Sequence, residues 1–509
     1  MGMKVYLIGA GPGDPGLMTV RGKELLGSAD VIVYDYLAAP ALLDWVRPGA
    51  ERVYVGKKAG AHTLSQDGIN ALLVEKAREG KTVARLKGGD PYIFGRGGEE
   101  ALALLEAGIP FEEVPGISST IAGPAYAGIP LTHRAYASSV TLITGHEDAD
   151  KDASSHDWPA LARSASTLVF VMGMKHLPDI SRKLIAAGRA PDTPAAVIHW
   201  ATTPAHLSLT ARLDELPEKA KAAGFTNPSL IVVGEVVALH DRLNWFERRP
   251  LLGRRIVVTR AREQASGLAR ALEGLGAQVV QFPVITIRPV EDTSAVDAAV
   301  TALDAYDGVI FTSVNGVRCF WERLAVQGKD SRALAGCRIA AIGPATAEAL
   351  EERGIRADIV PEDYKAEGLV QALLVEGVDG KRILLPRAAK ARDVLPDALR
   401  DAGACVDVVP VYETLTTDGG VHGDELREFL ERGAIDCVTF GSSSTVDNFF
   451  KAVPVETIRA ASPVFACIGP ITASTLLGYG FRSDIQPDAY TIPALVEAIE
   501  RAFAAQEPV

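Results

Sequence analysis

The sequence predicts an α/β protein with largely parallel sheets and an internal duplication in its second half. Three observations predict it. Short apolar runs alternate with Ala-, Leu-, Glu- and Arg-rich helical stretches along the whole chain, the signature of strand–helix–strand units. An aromatic, Arg-rich and Pro-containing segment at 240–260 interrupts that alternation and leads into a fresh strand. Beyond it, one succession of motifs occurs twice.

The elements follow in order. Residues 5–8, Val-Tyr-Leu-Ile, read as a first buried strand. Similar short apolar runs at 31–34, 83–86, 168–172 and 230–233 give the strands of the first half. Those at 256–259, 309–312, 339–342, 383–386, 437–440 and 464–468 give the second. Helices are expected at 66–79, 97–107, 263–274, 343–353 and 390–402. A linker is expected at about 246–253, and a weaker boundary at "VPGISS", 114–119, divides the first half near 115/116.

Bulk properties narrow the function. The 509 residues suffice for about three or four domains. A net charge of −12 without a strongly basic stretch disfavours nucleic acid as a partner. The five cysteines, all after residue 318, form no CxxC pair. That disfavours a disulfide framework or zinc site and suits a reducing cytoplasm. No run reaches the roughly 18 apolar residues that span a bilayer, and no signal peptide precedes the first strand. The protein is expected to be cytoplasmic, without metal and without membrane contact.

Glycines after the first strand, "GAGPGDPG" at 9–16, suggest a dinucleotide site. The spacing opposes it. Asp14 stands where the third glycine belongs, and Pro12 removes a backbone donor. A plain strand-to-loop turn remains the alternative at this point.

The duplication is explicit. Residues 254–287 align without gaps on 381–414, placing Arg260 on Arg387 and Pro283 on Pro410. "AAIGPATAEALEERGIRADIVP", 340–361, aligns on "ACIGPITASTLLGYGFRSDIQP", 466–487, and "FTSVNGV", 311–317, on "FGSSSTV", 440–446. Two such units with polar loops at strand ends form a cleft suited to a ligand; a duplicated scaffold without a site is the plainer alternative.

"VYLIGAGPGDPGLMTVRG", "VIVYD", "YVGKKAG", "RLKGGDPYIFGRGGEE", "VPGISS", "YAGIPLTHR" and "LIVVGEVVAL" occur in order over about 3–245. Together they resemble uroporphyrinogen-III C-methyltransferases, of the tetrapyrrole methylase family. The resemblance implies two α/β subdomains, S-adenosylmethionine as methyl donor, S-adenosylhomocysteine as product and a homodimer through this half. It places the donor at Pro12, Gly88, Gly89, Asp90, Ile93, Ser118, Ser119, Met172 and Ala201. It makes Asp35 and Lys57 acid/base residues, and sets Arg96, Glu99 and Arg134 against a substrate with eight carboxylates. Without it, Asp35 reads as a strand-end cap, Lys57 as a solvated charge and Met172 as core. Tyr36, Ser118–Ser119 and Trp200 depart from the family's usual Arg, Thr–Ala and Asn.

Residues 254–505 resemble uroporphyrinogen-III synthase through the duplication, the "TR" after the first strand, the "TSVNGV" loop and the "GPITA" helix start. This implies a cofactor-free cyclisation of hydroxymethylbilane, and two lobes joined through 283–289 and 410–415. One lobe takes 254–282 and 416–505, the other about 290–409. Tyr412 matches the family's proposed proton donor, though it also reads as an interlobe linker residue. Thr312, Ser313, Asn315, Ser443, Ser444, Thr472 and Arg260 are expected carboxylate contacts. The two activities are consecutive. They imply a bifunctional enzyme making precorrin-2, on the branch towards sirohaem and cobalamin. An inactive second half, or another precorrin methylase, is the alternative.

Overall fold

The structure is a computed structural model that describes residues 3–56, 64–145, 156–259, 262–416 and 423–504. The chain divides between Arg254 and Arg255 into two compact units, with Leu272–Gln278 and Phe503 belonging to the first.

The first unit holds two five-stranded sheets. Strands β1 (Lys4–Gly9), β2 (Val31–Tyr34), β3 (Glu51–Tyr54), β4 (Thr82–Lys87) and β5 (Phe111–Val114) lie in the order β3-β2-β4-β1-β5. Every pairing is parallel. Both faces are covered: Val5, Leu7, Val31, Val33 and Val83 enter one core, and Tyr6, Ile8, Ile32, Ala84 and Leu86 the other. That is why these strands read as continuous apolar runs.

The second sheet is β6 (Val140–Thr144), β7 (Thr167–Val171), β8 (Pro194–His199), β9 (Leu207–Arg212) and β10 (Ser229–Val233), in the order β6-β7-β10-β8-β9. Here the expectation of largely parallel pairing fails. Only β6–β7 is parallel; β7–β10, β10–β8 and β8–β9 are antiparallel. The loop 200–206 between β8 and β9 is too short for a crossover, so the chain returns as a hairpin. Phe246 and Leu251, in the segment expected as a linker, are buried. The Phe246 ring packs 4.8 Å from Tyr126, and Leu251 N donates to Leu275 O at 3.0 Å.

The second unit holds β11 (Arg255–Val258), β12 (Gln278–Gln281, all but its first residue), β13 (Ile285–Pro289), β14 (Gly308–Phe311), β15 (Arg338–Ala341), β16 (Arg382–Ala388), β17 (Cys405–Thr416), β18 (Cys437–Phe440) and β19 (Val464–Cys467). They form one sheet in the order β12-β11-β18-β19 and another in the order β13-β17-β16-β14-β15. β13 runs antiparallel to β17, with Pro289 opposite Tyr412. The duplication reaches the backbone. Isolated parallel bridges join Ala340 to Ile359 and Ala466 to Ile485, and Gly343 and Gly469 cap equivalent helices with the same extended geometry.

Four of the expected helices appear with trimmed ends, Gln66–Arg78, Gly97–Glu106, Pro344–Glu351 and Val394–Asp401, and Arg262–Gly274 starts one residue earlier than expected.

Candidate functional site

In the first unit, the loops after β1 and β4 meet. Gly11 and Gly89 exchange two backbone hydrogen bonds, of 3.2 and 2.7 Å. A Cβ on Gly116 would fall 2.7 Å from Gly9 Cα and closer still to the Gly89 carbonyl oxygen, so this crossing requires glycine. Asp90 is buried and organises the loop from within. Its Oδ1 accepts from Tyr92 N at 2.8 Å and Ile93 N at 3.1 Å, and its Oδ2 from Gly116 N at 3.1 Å.

The second sheet closes on the same loops. A Cβ on Gly13 would meet Thr203 at 2.5 Å and come within 3.4 Å of the Ala201 carbonyl oxygen. Asp14 N donates to Thr202 Oγ1 at 3.1 Å. Ser118 caps the helix Ser119–Tyr126 and lies under Gly89, whose Cβ would stand 3.7 Å from its Cα. Pro12, Gly88, Gly89, Asp90, Ser118, Ser119 and Ala201 therefore belong to one loop cluster, with Ile93 held by Asp90. Met172 follows β7, half exposed, at φ 55°. Phe94, Arg96, Trp200 and Thr202 also have positive φ. Among the described residues, all the non-glycine residues with positive φ except Ser462 lie on loops of this unit, and such backbone strain clusters at functional sites.

Asp35, at the end of β2, is held on both oxygens. Oδ1 accepts from Leu37 N at 3.1 Å and Oδ2 from Arg85 Nη2 at 3.0 Å. Behind it, Glu100 Oε1 receives Lys87 Nζ at 2.7 Å, Gln66 Nε2 at 3.2 Å and Arg85 Nε at 3.3 Å. Burial pushes the Lys87 ammonium below its ordinary value, Arg85 adds repulsion, and Glu100 opposes both. Sequence reasoning did not single out Arg85, Lys87 or Glu100. The charges in "RLKGGDPYIFGRGGEE" are visible, but the Asp35 partner lies 50 positions away.

Arg96 and Glu99 are exposed and grip each other through two hydrogen bonds of 2.8 and 2.7 Å. Arg96 thereby holds the Glu99 carboxyl below its ordinary range. Arg134 is exposed in the turn between His133 and Ala137. Lys57 and Arg260 lie outside the described residues.

In the second unit, the Tyr412 hydroxyl lies 3.0 Å from Ser313 Oγ, which also accepts from Gly316 N at 3.0 Å. Burial pushes the Tyr412 phenol up, and the Ser313 hydrogen bond opposes this. Asn315 is buried in the first turn of the helix that Ser313 caps, and Thr312 precedes the cap half-buried. The repeat equivalent of Ser313 is Ser442, which forms a capping box with Thr445. Ser443 bonds to Ile471 O at 3.4 Å, Ser444 is exposed, and Thr472 is buried. Ser442 was missed as a site residue, although the alignment of 311–317 on 440–446 places it on Ser313.

Among the described residues, no helix is long and apolar enough to cross a membrane, and no three His, Cys, Asp or Glu side chains are grouped to hold a metal.

Comparison with known proteins assigns each half. Residues 4–217 match the family model for tetrapyrrole (corrin/porphyrin) methylases, and 266–497 that for uroporphyrinogen-III synthase HemD. The porphyrin biosynthesis protein HemD of Ruminiclostridium josui is 37% identical over 97% of both chains. A uroporphyrinogen-III C-methyltransferase of Bacillus subtilis is 44% identical over 70% of this chain and 73% of its own. The solved uroporphyrin III C-methyl transferase of Thermus thermophilus is 39% identical, covering 46% of this chain and 94% of that one, with a TM-score of 0.40. The chain belongs to the family of porphyrin biosynthesis proteins in which a tetrapyrrole methylase is joined to a uroporphyrinogen-III synthase.

Proposed function

We propose that the second unit cyclises hydroxymethylbilane to uroporphyrinogen III, and that the first methylates this product at C2 and C7 to give precorrin-2. The observation that carries the reading is the likeness to HemD over 97% of both chains. The loop chemistry agrees with it. Asp14 and Asp90 put carboxylates beside the glycine turns, which disfavours a diphosphate and suits a cationic sulfonium.

S-adenosylmethionine, when bound, supplies an electrophilic methyl group. In this reading Gly88 and Gly89 let backbone approach the donor, Asp90 holds that loop in shape, and Met172 offers a polarisable contact. Asp35 takes the proton released after carbon methylation. Arg96, Glu99 and Arg134 orient the tetrapyrrole through its carboxylates. Pairing of two copies through the first unit belongs to the same reading, as does a cytoplasmic place of action.

Cyclisation loses the terminal hydroxyl of the linear substrate, inverts its last ring and closes the macrocycle. The pyrroles themselves expel the hydroxyl, so the protein chiefly folds the substrate for closure. Tyr412, kept protonated by burial, delivers the proton to the departing hydroxyl. Thr312, Ser313, Asn315, Ser443, Ser444, Thr472 and Arg260 receive carboxylates.

The full chain is incubated with hydroxymethylbilane, with and without S-adenosylmethionine, and products are scored by isomer and mass. Isomer III without donor and a dimethylated product with it are expected. Isomer I alone overturns the synthase assignment; an unmethylated or singly methylated product overturns the methylation assignment.

A further inference from the structure

β4 is a central strand, and Val83, Ala84 and Leu86 on it are core residues. Arg85 and Lys87 interrupt that run and are only 3% exposed. With Glu100, which is fully buried, they form an ion cluster of the kind that apolar residues often replace without loss of stability. Two buried cations face a single carboxylate inside the cluster. The second negative charge is Asp35, the one member that reaches the surface, with a side chain 22% exposed.

Arg85 connects the two carboxylates. Its guanidinium donates to Glu100 through Nε at 3.3 Å, to Leu86 O through Nη1 at 2.9 Å and to Asp35 through Nη2 at 3.0 Å. Val33 and Arg85 are also direct neighbours in the β2–β4 register. Held on three sides, the guanidinium cannot swing, and neither can the carboxylate oxygen it grips. Leu37 N holds the other oxygen. The Asp35 carboxylate is thus fixed in rotation by one backbone and one side-chain donor.

We propose that Arg85 is a positioning residue for methyl transfer, orienting the Asp35 carboxylate towards the substrate proton while Glu100 anchors Arg85 from behind. The proposal rests on the reading of Asp35 as the base. A misplaced catalytic group costs on the order of 100-fold in rate.

The test is a double-mutant cycle on the full chain with uroporphyrinogen III supplied. Arg85→Met should lower kcat roughly 10- to 100-fold, and calorimetry should show donor Kd unchanged within about twofold. In an Asp35→Asn background the same change should have no further effect, because coupled groups are not additive. Arg85→Lys keeps the charge but not the fork, and should recover part of the rate in the otherwise native chain. If Arg85→Met fails to fold, the cycle is run with Arg85→Lys, whose loss should vanish in the Asp35→Asn background. Equal losses in both backgrounds overturn the positioning role, as does a fall in donor affinity matching the fall in kcat. An Asp35→Asn chain with native kcat instead overturns the base assignment, and the proposal with it. The two failures are therefore distinguishable.

Discussion

The Tyr126 hydroxyl donates to Asp14 Oδ2 at 2.7 Å, tying the loop after β1 to a helix that packs on the second sheet. Asp14 is the residue that spoils the dinucleotide spacing. It accepts from Gly16 N with its other oxygen, and its own N–H reaches Thr202. Tyr126→Phe removes one hydrogen bond to a charged group, worth about 1.5–3 kcal/mol. Thermal unfolding should shift downward and donor affinity should weaken.

Asp90 and Met172 should separate binding from stability. Asp90→Ala strips three backbone donors of a buried acceptor, so donor affinity and melting temperature should both fall. Met172 is half exposed, and Met172→Ala should weaken donor binding with stability changed by less than about 0.5 kcal/mol. Calorimetry and thermal melts on both variants check this, and cyclisation of hydroxymethylbilane should be native in each.

Gly116→Ala should abolish donor binding without removing any side-chain contact. Its Cβ would meet Gly9 Cα and the Gly89 carbonyl oxygen, both of them backbone. The two glycine loops must then separate. A donor titration against the wild-type chain reads the loss.

Acid should loosen the first unit through Glu247. Burial works against its ionisation. The Asn244 amide, which donates to its Oε2, and the nearby His206 ring and Ser208 hydroxyl, both off the hydrogen-bond line, overcome this and hold it at about 2. Because the folded value lies below the unfolded one, this stabilisation is present above about pH 4.3. It is lost as pH falls towards 2. Glu247→Gln should flatten that part of the stability profile, by on the order of 1–2 kcal/mol after solvent screening. Denaturant melts between pH 6 and pH 3 measure it.

Tyr412→Phe and Ser313→Ala should act as one lesion. Their hydroxyls are 3.0 Å apart, so the double variant should cyclise no more slowly than the worse single one, roughly 10-fold below native. Additive losses would assign the two hydroxyls separate contacts. Methyl transfer to supplied uroporphyrinogen III should be native in all three.

Most strands buried on both faces are legible, because burial leaves an unbroken apolar run. Glu51–Tyr54, Phe111–Val114, Val140–Thr144 and Leu207–Arg212 are not foreseen, and all four lie at sheet edges, where one flank meets solvent and polar residues enter. Pro194–His199 is not foreseen either, although it is interior and buried; its Pro and paired alanines read as loop. The glycine loops were legible as sequence, but their crossing at Gly9, Gly89 and Gly116 is a relation between distant segments. The same holds for Asp35 and Arg85. Ser442 was legible in principle, since the duplication carries it onto Ser313, but its neighbours drew attention to themselves as a run of hydroxyls. The linker expected at 246–253 looked detached because Arg and Pro dominate it; Phe246 and Leu251 instead anchor it.

Leu251 is bonded to Leu275, and the Arg254 guanidinium stacks 5.0 Å from the Phe503 ring. The first unit thus recruits residues made long after its own 254. During synthesis its two sheets can assemble while the rest of the chain is still being translated. Its closing contacts, however, wait for Leu272–Gln278 and finally for Phe503 to leave the ribosome. A chain stalled at 254 would lack the Leu275 carbonyl that receives the Leu251 N–H, and the Arg254–Phe503 stack forms only when translation has nearly finished.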